Sequence, residues 1–271
     1  MKTFYKTIVV SDLHLGIKAS KAKEVLNFLK HHKCETLILN GDIIDGWQLR
    51  KSGKWTKQHS NFFKHIINLT SKDKCKIIYL RGNHDDFLEQ IMPLKIGNFS
   101  IKKYYVHYGV HKKYFVTHGD LFDNITTKLK WIAKLGDVGY TFLLWLNRHY
   151  NEYREKRGLP YYSLSQVVKA KVKSAVSFIS DFENELVKVA RSRNCHGIIC
   201  GHIHQPAIKV IDGIEYLNSG DWVESLTALV EDNDGNWKIV YYQDWLNSLP
   251  EKSVENHLRA AIDIIPKGVT I

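Results

Sequence analysis

Five short apolar runs in the sequence each lead into a cluster of carboxylate, amide or imidazole side chains. In chain order the clusters hold Asp12 and His14, then Asp42 and Asp45, then Asn83, His84 and Asp85, then His118, and finally His202 and His204. In an open α/β sheet, ligands bind outside the carboxyl ends of the strands, so the clusters are expected to meet at one rim. Such oxygen and nitrogen donors without a thiolate suit Mn²⁺, Fe²⁺ or Zn²⁺ and disfavour Ca²⁺, which prefers oxygen alone.

Seven of these side chains are candidate metal ligands. They are Asp12, His14, Asp42, Asn83, His118, His202 and His204. Seven ligands are too many for one tetrahedral or octahedral ion that keeps an open position, whereas two ions sharing one carboxylate accommodate them. Two ions about 3.5–4 Å apart clamp the attacking and leaving oxygens of a phosphoryl centre. The residues therefore predict a two-metal site for phosphoryl chemistry.

Each cluster taken alone has a simpler interpretation. Aspartate after a strand often starts a turn, and asparagine or aspartate in a loop often bonds to nearby backbone. His202 and His204 alternate along an extended segment, as sheet-surface histidines also do. Only the joint placement at strand ends favours the metal site. The other histidines are expected at a helix end (His31, His32) or on the surface (His59, His65, His107, His111, His149, His196, His257).

The order of the clusters resembles that of the calcineurin-like metallophosphoesterase family. The matching motifs are Asp12-x-His14, Gly41-Asp42-x-x-Asp45, Gly82-Asn83-His84-Asp85, His118 and Gly201-His202-x-His204. The resemblance implies an α/β fold: a sandwich of two mixed β-sheets flanked by helices, with a helical lid insertion. It implies two divalent ions, Mn²⁺ by first choice with Fe²⁺ or Zn²⁺ as alternatives, and a hydroxide shared by the ions that attacks phosphorus.

The resemblance also implies a role for each residue. One metal is held by Asp12, His14, Asp42 and His204, and the other by Asp42, Asn83, His118 and His202, so that Asp42 bridges. His84 protonates the leaving oxygen or steadies the transition-state charge, and Asp45 orients its imidazole. An imidazole that titrates near pH 7 is a suitable acid, and a carboxylate partner fixes its tautomer.

The segments that must position these residues alternate between strand and helix patterns in the first half of the chain. Strands are predicted over residues 7–10, 36–39 and 76–80, and helices over 21–31 and 61–69. This alternation is typical of βαβ units with a parallel core. After residue 196 the strand pattern returns around two Asp-Gly turns, which favours a mostly antiparallel arrangement there.

Between these two regions, residues 121–194 are predicted to form a helical insert in a domain spanning 1–246, followed by a tail over 247–271 that carries no chemical signal. The insert holds thirteen cationic and seven anionic side chains, a net charge of +6. A basic helical pair above a two-metal rim is typical of a lid that grips an anionic substrate. The alternative is a helical hairpin whose cations face water.

Within the family, this layout is similar to the UDP-2,3-diacylglucosamine diphosphatase branch, which acts on a lipid A precursor at the inner membrane. The runs Ser11-Asp12-Leu13-His14-Leu15-Gly16 and Ser219-Gly220-Asp221-Trp222 support that branch. The implied reaction converts UDP-2,3-diacylglucosamine to UMP and 2,3-diacylglucosamine 1-phosphate. The candidate substrate-binding residues are Asn83, His84, Asp123, Lys169, Lys173 and His202.

Two departures from the branch keep a second substrate open. Members of the branch have arginine at the position of His84, and they have paired aspartates where this chain has Leu121-Phe122-Asp123. A different nucleotide-linked or phosphorylated lipid is therefore an alternative, as is a nuclease or phosphoprotein phosphatase of the same family. A non-catalytic membrane-surface or RNA-binding protein is an alternative of another class, although intact His84 and Asp45 argue against it.

Composition and charge bound the partners. The chain has 271 residues, 44% of them hydrophobic and 25% charged, which excludes a disordered or fibrous protein. The net charge of +11 indicates an anionic partner, and no segment resembles a nucleic-acid-binding module, so nucleic acid is not expected. Four scattered cysteines favour a reducing compartment, and neither a signal peptide nor a membrane span is evident. We expect a cytoplasmic protein that associates with the cytoplasmic face of the inner membrane through its basic lid.

Overall fold

The computed structural model describes residues 3–72, 74–120, 150, 152–154, 156–158 and 164–249, and for residues 164–176 it describes the backbone alone. In chain order the elements are β1 (Thr3–Val10), α1 (Ala22–His31), β2 (His32–Asn40), α2 (Gly46–Leu49), α3 (Lys57–Ser71), β3 (Lys76–Leu80), a 3-10 helix (Asp86–Ile91), β4 (Leu94–Ile96), β5 (Phe99–Lys102), β6 (Tyr105–Tyr108), β7 (Lys113–Val116), α4 (Leu164–Ser192), β8 (Gly197–Cys200), β9 (Ala207–Ile211), β10 (Ile214–Asn218), β11 (Thr227–Glu231), β12 (Trp237–Tyr241) and α5 (Tyr242–Asn247).

The strands form two mixed sheets. The seven-stranded sheet has the order β12-β11-β1-β2-β3-β5-β4, and the five-stranded sheet has the order β6-β7-β8-β10-β9. Strands β1, β2, β3 and β5 run parallel, and β11 and β12 add an antiparallel edge. In the smaller sheet, β7, β8 and β10 run parallel between two antiparallel edge strands.

Successive side chains of the central strands point to opposite faces of each sheet, and the buried ones form three apolar layers. Val9, Ile38 and Ile78 meet Val116 and Ile199 of the smaller sheet in a core between the two sheets. The alternate side chains of the larger sheet face the opposite way and pack against α1, α3 and α5. The outer face of the smaller sheet packs against the second half of α4. The predicted fold, a sandwich of two mixed sheets flanked by helices, is confirmed.

The predicted strands and helices of the first half are present: β3 and α1 agree with the predicted bounds to within one residue, while β1, β2 and α3 are longer than predicted. Helix α3 extends the prediction over 61–69 at both ends, because Thr56 caps it and accepts a hydrogen bond from the His59 backbone N–H at 3.4 Å. Strands β4, β5 and β6 were not predicted. They are three or four residues long, and only Ser100, Ile101 and His107 in them are buried, so their sequence has no clear two-residue period.

Helix α4 is the second helix of the predicted insert. Phe178, Phe182 and Leu186 on its C-terminal half are buried against the smaller sheet. This half therefore belongs to the outer helical layer of the sandwich. Residues 121–149, which hold the first predicted helix of the insert, and residues 250–271 of the predicted tail lie outside the described residues.

A buried polar network joins the two sheets and corrects one expectation. His107 of β6 is 4% exposed, and its Nε2 lies 3.0 Å from Oε2 of Glu231 on β11. The same carboxylate accepts hydrogen bonds from the Thr7 hydroxyl and the Val110 backbone N–H. The surface prediction was wrong for His107, and also for His59, which is 4% exposed at the N-terminus of α3. A polar residue in a short strand gives no sign that its partner lies 124 residues away.

Among the described residues, no helix combines the length and the apolar character that crossing a bilayer requires.

Candidate metal centre

All five sequence clusters lie just beyond the carboxyl ends of parallel strands. Asp12 follows β1, Asp42 follows β2 and Asn83 follows β3 in the larger sheet. His118 follows β7 and His202 follows β8 in the smaller sheet. The structure brings the clusters together at one edge of the sandwich, where both sheets contribute, rather than along a single sheet.

Backbone hydrogen bonds tie the loops of the two sheets to one another. In the larger sheet, the Asp12 N–H donates to Gly41 at 3.0 Å and the His14 N–H donates to Asp42 at 2.9 Å. In the smaller sheet, the Gly201 N–H donates to His118 at 3.0 Å. The His202 N–H donates across the sandwich to Oδ2 of Asp12 at 3.1 Å. The side chains are therefore held by backbone contacts and not by packing alone.

Five of the seven candidate ligands have left-handed backbone conformations, which non-glycine residues seldom adopt. Their φ angles are 54° at Asp12, 47° at His14, 52° at Asp42, 69° at His202 and 55° at His204. Each such residue costs on the order of 1–2 kcal/mol. The strain is concentrated where the loops turn their side chains toward one point, which is typical of functional sites.

One group of potential ligand atoms consists of Asp12, His14 and His204, whose donor atoms lie within 4.8 Å of one another. The Nε2 of His204 is 3.1 Å from Oδ1 of Asp12. Because the other oxygen of Asp12 accepts the His202 N–H, Oδ1 is the atom that faces the group.

A second group consists of Asp42, His118 and His202, within the same distance limit. His118 is fully buried, and its Nδ1 lies 2.9 Å from the carbonyl oxygen of Asn40. This contact places the proton on Nδ1, so that Nε2 is left as a metal donor. Asn83 follows β3 beside this group, and its Oδ1 is buried without a hydrogen-bond partner.

Asp42 belongs to the second group and also faces the first. Its Oδ1 accepts the His84 backbone N–H at 2.8 Å. Its Oδ2 lies 3.4 Å from Nε2 of His118 and 3.8 Å from Nε2 of His14, which belong to different groups. A single carboxylate oxygen between two sets of imidazoles is the geometry that a bridging ligand requires.

The electrostatics of the site favour bound cations. Burial disfavours the charged form of Asp12, but His204 and His118 outweigh it and lower the pKa of Asp12 to about 2. Burial likewise opposes the charge on His118, while Asp42 and Asp12 raise the pKa of His118 to about 10. The pKa of Asp42 is also held well below its usual range by the surrounding imidazoles, against the effect of burial. Buried carboxylates that stay ionised create a negative potential that positive charge must balance.

Unpaired donors show that the residues fit metal ions. Asp12 Oδ1, Asn83 Oδ1 and His118 Nε2 are buried without a hydrogen-bond partner among the described residues. Buried polar atoms are normally paired. Asp12 and His118 belong to the two candidate ligand groups, and Asn83 is the predicted ligand that follows β3. A Cβ on Gly82 would collide with Oδ1 and the backbone N of Asp42, so only glycine leaves room at this point.

His84 and Asp45 form a third group with His14, whose potential ligand atoms also lie within 4.8 Å of one another. The Nδ1 of His84 is 3.0 Å from Oδ2 of Asp45, and the Nδ1 of His14 is 3.3 Å from the same oxygen. Burial alone would raise the pKa of Asp45, but the hydrogen bonds with the two imidazoles have the larger effect. The pKa of Asp45 is therefore below its usual range, and this carboxyl stays ionised. The other oxygen, Oδ1, accepts the Gln48 N–H at 2.8 Å and caps α2. Asp45 thus contacts both His84 and the candidate ligand His14, whereas the sequence assigned it to His84 alone.

The predicted substrate contacts divide into two sets. Asn83, His84 and His202 lie at the metal centre, while Lys169 and Lys173 lie on α4, where the structure describes the backbone alone. Asp123 lies outside the described residues.

A segment without metal ligands supports the site and was not predicted to do so. Ser219 Oγ lies 2.7 Å from Ser11 Oγ and donates to the Cys200 carbonyl at 3.1 Å, while the Asn218 amide donates to Gly201 at 3.0 Å. Ser219 and Asn218 are fully buried and join the loop of Asp12 to the loop of His202. The run Ser219–Trp222 was a visible sequence motif, but the contact between Ser219 and Ser11 joins residues that are 208 positions apart in the sequence.

The sequence profile of the family described as calcineurin-like phosphoesterase matches residues 5–206. Among curated proteins, no significant match was found.

Similar solved structures include "a Novel Archaeal Phosphodiesterase", at 15% identity and a TM-score of 0.42, covering 87% of this chain and 98% of that one. Yfce, a phosphoesterase from E. coli, has 15% identity, a TM-score of 0.38 and the same two coverages, 87% and 98%. Wild-type Vps29 from Entamoeba histolytica, complexed with Zn²⁺, has 13% identity and a TM-score of 0.38, again covering 87% and 98%.

Because the profile covers most of the chain and the fold agrees with it, this chain belongs to the calcineurin-like phosphoesterase family. Membership makes it a metal-dependent phosphoester hydrolase, since the family uses a dimetal centre.

Proposed function

We propose that this protein hydrolyses the pyrophosphate of a nucleotide-linked lipid, converting UDP-2,3-diacylglucosamine to UMP and 2,3-diacylglucosamine 1-phosphate. The observation that carries the hydrolytic part is the pair of ligand groups on either side of Asp42, with His84 and Asp45 adjoining them. The charge of +6 on residues 121–194 supports an anionic lipid substrate.

The proposed ligands of the two ions follow the groups at the strand ends. Asp12, His14, Asp42 and His204 would hold one, and Asp42, Asn83, His118 and His202 the other. When bound, two divalent ions supply a water of lowered pKa and positive charge opposite the phosphoryl oxygens. Mn²⁺ is the proposed metal, with Fe²⁺ or Zn²⁺ as alternatives, because imidazole and carboxylate together suit these ions.

The chain's own contribution to leaving-group departure is assigned to His84. Its Nδ1 faces Asp45 at 3.0 Å, and its Nε2 lies 3.9 Å from Oδ2 of Asp42, on the side of the metal centre. Asp45 stabilises the protonated imidazole, and the proton on Nε2 is then available to the leaving oxygen. His84 is only partly buried, so a substrate reaches it from solvent.

The lid is proposed to bind the part of the substrate that lies outside the metal centre. Lys169 and Lys173 on α4 are the proposed contacts for its anionic groups, together with Asp123. We also propose that the basic lid holds the enzyme on the cytoplasmic face of the inner membrane, where each cation near an acidic surface contributes about 1 kcal/mol. The partner is then a lipid surface and not a nucleic acid.

A second substrate within the same chemistry is favoured by His84 itself. Members of the diphosphatase branch have arginine at this position, and Leu121-Phe122-Asp123 replaces their paired aspartates. These two differences favour a related enzyme that acts on another nucleotide-linked or phosphorylated lipid.

Turnover by the Mn²⁺-loaded protein tests the proposal. UDP-2,3-diacylglucosamine, single-stranded DNA and a phosphopeptide are compared at equal concentration, and release of UMP from the first is expected to be fastest. The double variant K169A/K173A should raise the KM for the lipid, while the control K188A, whose ammonium pairs with Glu185 at 2.7 Å, should not. Cleavage of DNA or the phosphopeptide without UMP release would contradict the lipid assignment.

A further inference from the structure

Two cysteine side chains touch near the amino ends of β2 and β3, at the opposite end of these strands from the metal centre. The Sγ atoms of Cys34 on β2 and Cys75, which directly precedes β3, are 3.7 Å apart. The two strands are hydrogen-bonded neighbours, paired from Thr36 with Lys76 onward. A disulfide has an S–S distance of about 2.05 Å, so each sulfur needs to move by about 1 Å.

The two thiols differ in access to solvent. Cys34 is partly exposed, whereas Cys75 is 1% exposed and packs in the core beneath α1 and α3. A reagent in solution therefore reaches Cys34 first, and Cys75 is placed to react with whatever forms there. The thiolate is the nucleophile in disulfide exchange.

We propose that Cys34 and Cys75 are a redox-sensitive pair. They form a reversible intramolecular disulfide when a small-molecule disulfide such as oxidised glutathione oxidises them. The Cys34 thiolate attacks one sulfur of the reagent, and its S–S bond breaks to release one glutathione thiolate. The Cys75 thiolate then attacks the Cys34 sulfur and releases the second. Two protein thiols are oxidised, one disulfide reagent is reduced to two thiols, and the two protons pass to the released thiolates.

The crosslink would join β2 and β3 near their amino ends, while Asp42 and Asn83 follow the carboxyl ends of the same strands. Oxidation is therefore expected to leave metal binding and hydrolysis intact. It closes a covalent loop from residue 34 to residue 75, which lowers the entropy of the unfolded chain and stabilises the fold. The pair makes resistance to unfolding, rather than catalysis, responsive to redox conditions.

The other two cysteines provide an internal control. Cys195 and Cys200 are buried, and burial raises the pKa of the Cys195 thiol and raises that of Cys200 to about 12. These thiols are therefore expected to be unreactive in the folded protein.

Thiol counting on the full chain tests the proposal. After incubation with oxidised glutathione, alkylation under denaturing conditions is expected to find two free thiols where the reduced protein has four. Peptide mapping should find the Cys34–Cys75 crosslink, and the midpoint of thermal unfolding should rise by roughly 5–10 °C and return on reduction with dithiothreitol. C195S should behave as the wild type, and C34S should show neither change.

Three results would overturn the proposal: four thiols retained, a glutathione adduct that stays on Cys34, or a crosslink to Cys195 or Cys200. Mapping of the wild-type protein decides between these outcomes even if C34S does not fold.

Discussion

Replacing Asp45 by asparagine removes one negative charge from the site and little else. Asparagine keeps an oxygen that can accept the Gln48 N–H and cap α2, as Oδ1 of Asp45 does at 2.8 Å. What changes is Oδ2, which lies 3.0 Å from Nδ1 of His84 and 3.3 Å from Nδ1 of His14. An amide at this position no longer stabilises a protonated His84, and it can impose the wrong tautomer on both rings.

The magnitude follows from the two contacts. Loss of proton donation through His84 is expected to lower turnover by about 10²–10³-fold, or about 3–4 kcal/mol of transition-state stabilisation. Loss of the carboxylate behind His14 is expected to weaken the ion held with Asp12 and His204 by about 10–100-fold. D45N should therefore need more metal and still turn over slowly when saturated.

The assay compares two phosphodiesters at saturating Mn²⁺. A p-nitrophenyl ester has a leaving group that departs without a proton, whereas an alkyl ester needs one. D45N and H84A should lose activity mainly toward the alkyl ester. The control D232N makes the same chemical change in an exposed turn, where Asp232 accepts the Asn236 N–H at 2.9 Å, and should change neither rate. Equal losses of activity on both esters at saturating metal would show that Asp45 does not act through a proton on His84, because a proton donor matters only where the leaving group requires a proton.

Three further substitutions test the support of the site and the fold. G82A should cost metal affinity, because its Cβ collides with Asp42; metal titration checks this, and unchanged affinity would show that the loop adjusts. S219A removes two hydrogen bonds that join the ligand loops and should cost about 1–3 kcal/mol in chemical denaturation, and equal stability would assign Ser219 no structural role. E231Q should destabilise by about 1–3 kcal/mol at pH 7, because it disturbs the hydrogen bonds of the buried carboxylate with Thr7, His107 and Val110. Burial opposes the charge on Glu231, but the hydrogen bonds of the carboxylate lower its pKa below 4.5. The stabilisation from Glu231 is therefore present above pH 4.5 and is lost as the pH falls through the pKa of the folded state. A destabilisation by E231Q that does not shrink in acid would contradict this.

The fold class was predictable because the strongest signals are local. The apolar runs of β1, β2 and β3 and the helical spacing in α1 and α3 belong to segments of 5 to 15 residues, and each pattern reads directly as an element. The division into two sheets is not local. Val9 and Ile8 look equivalent in sequence, but one faces the smaller sheet and the other faces the helices. The resemblance to a known family supplied this arrangement.

For the site, residue types and order indicated which side chains could bind metal, and the geometry added what no motif contains. The left-handed φ angles of Asp12 and Asp42 are imposed by loops that bond to each other across strands. Asn40 orients the ring of His118 through its backbone oxygen, so the residue type at position 40 gives no sign of this contact in the sequence. Assignment of the seven ligands, of His84 and Asp45, and of the insert boundaries remains a prediction.

The bridging position of Asp42 is tested by the number of tightly bound metal ions per chain. Two divalent ions are expected in the wild-type protein and fewer than two in D42A, because Asp42 belongs to one group of ligands and also faces the other. Metal analysis after dialysis measures both values. Two ions retained at full occupancy in D42A, or a single ion in the wild type, would contradict a centre bridged by Asp42.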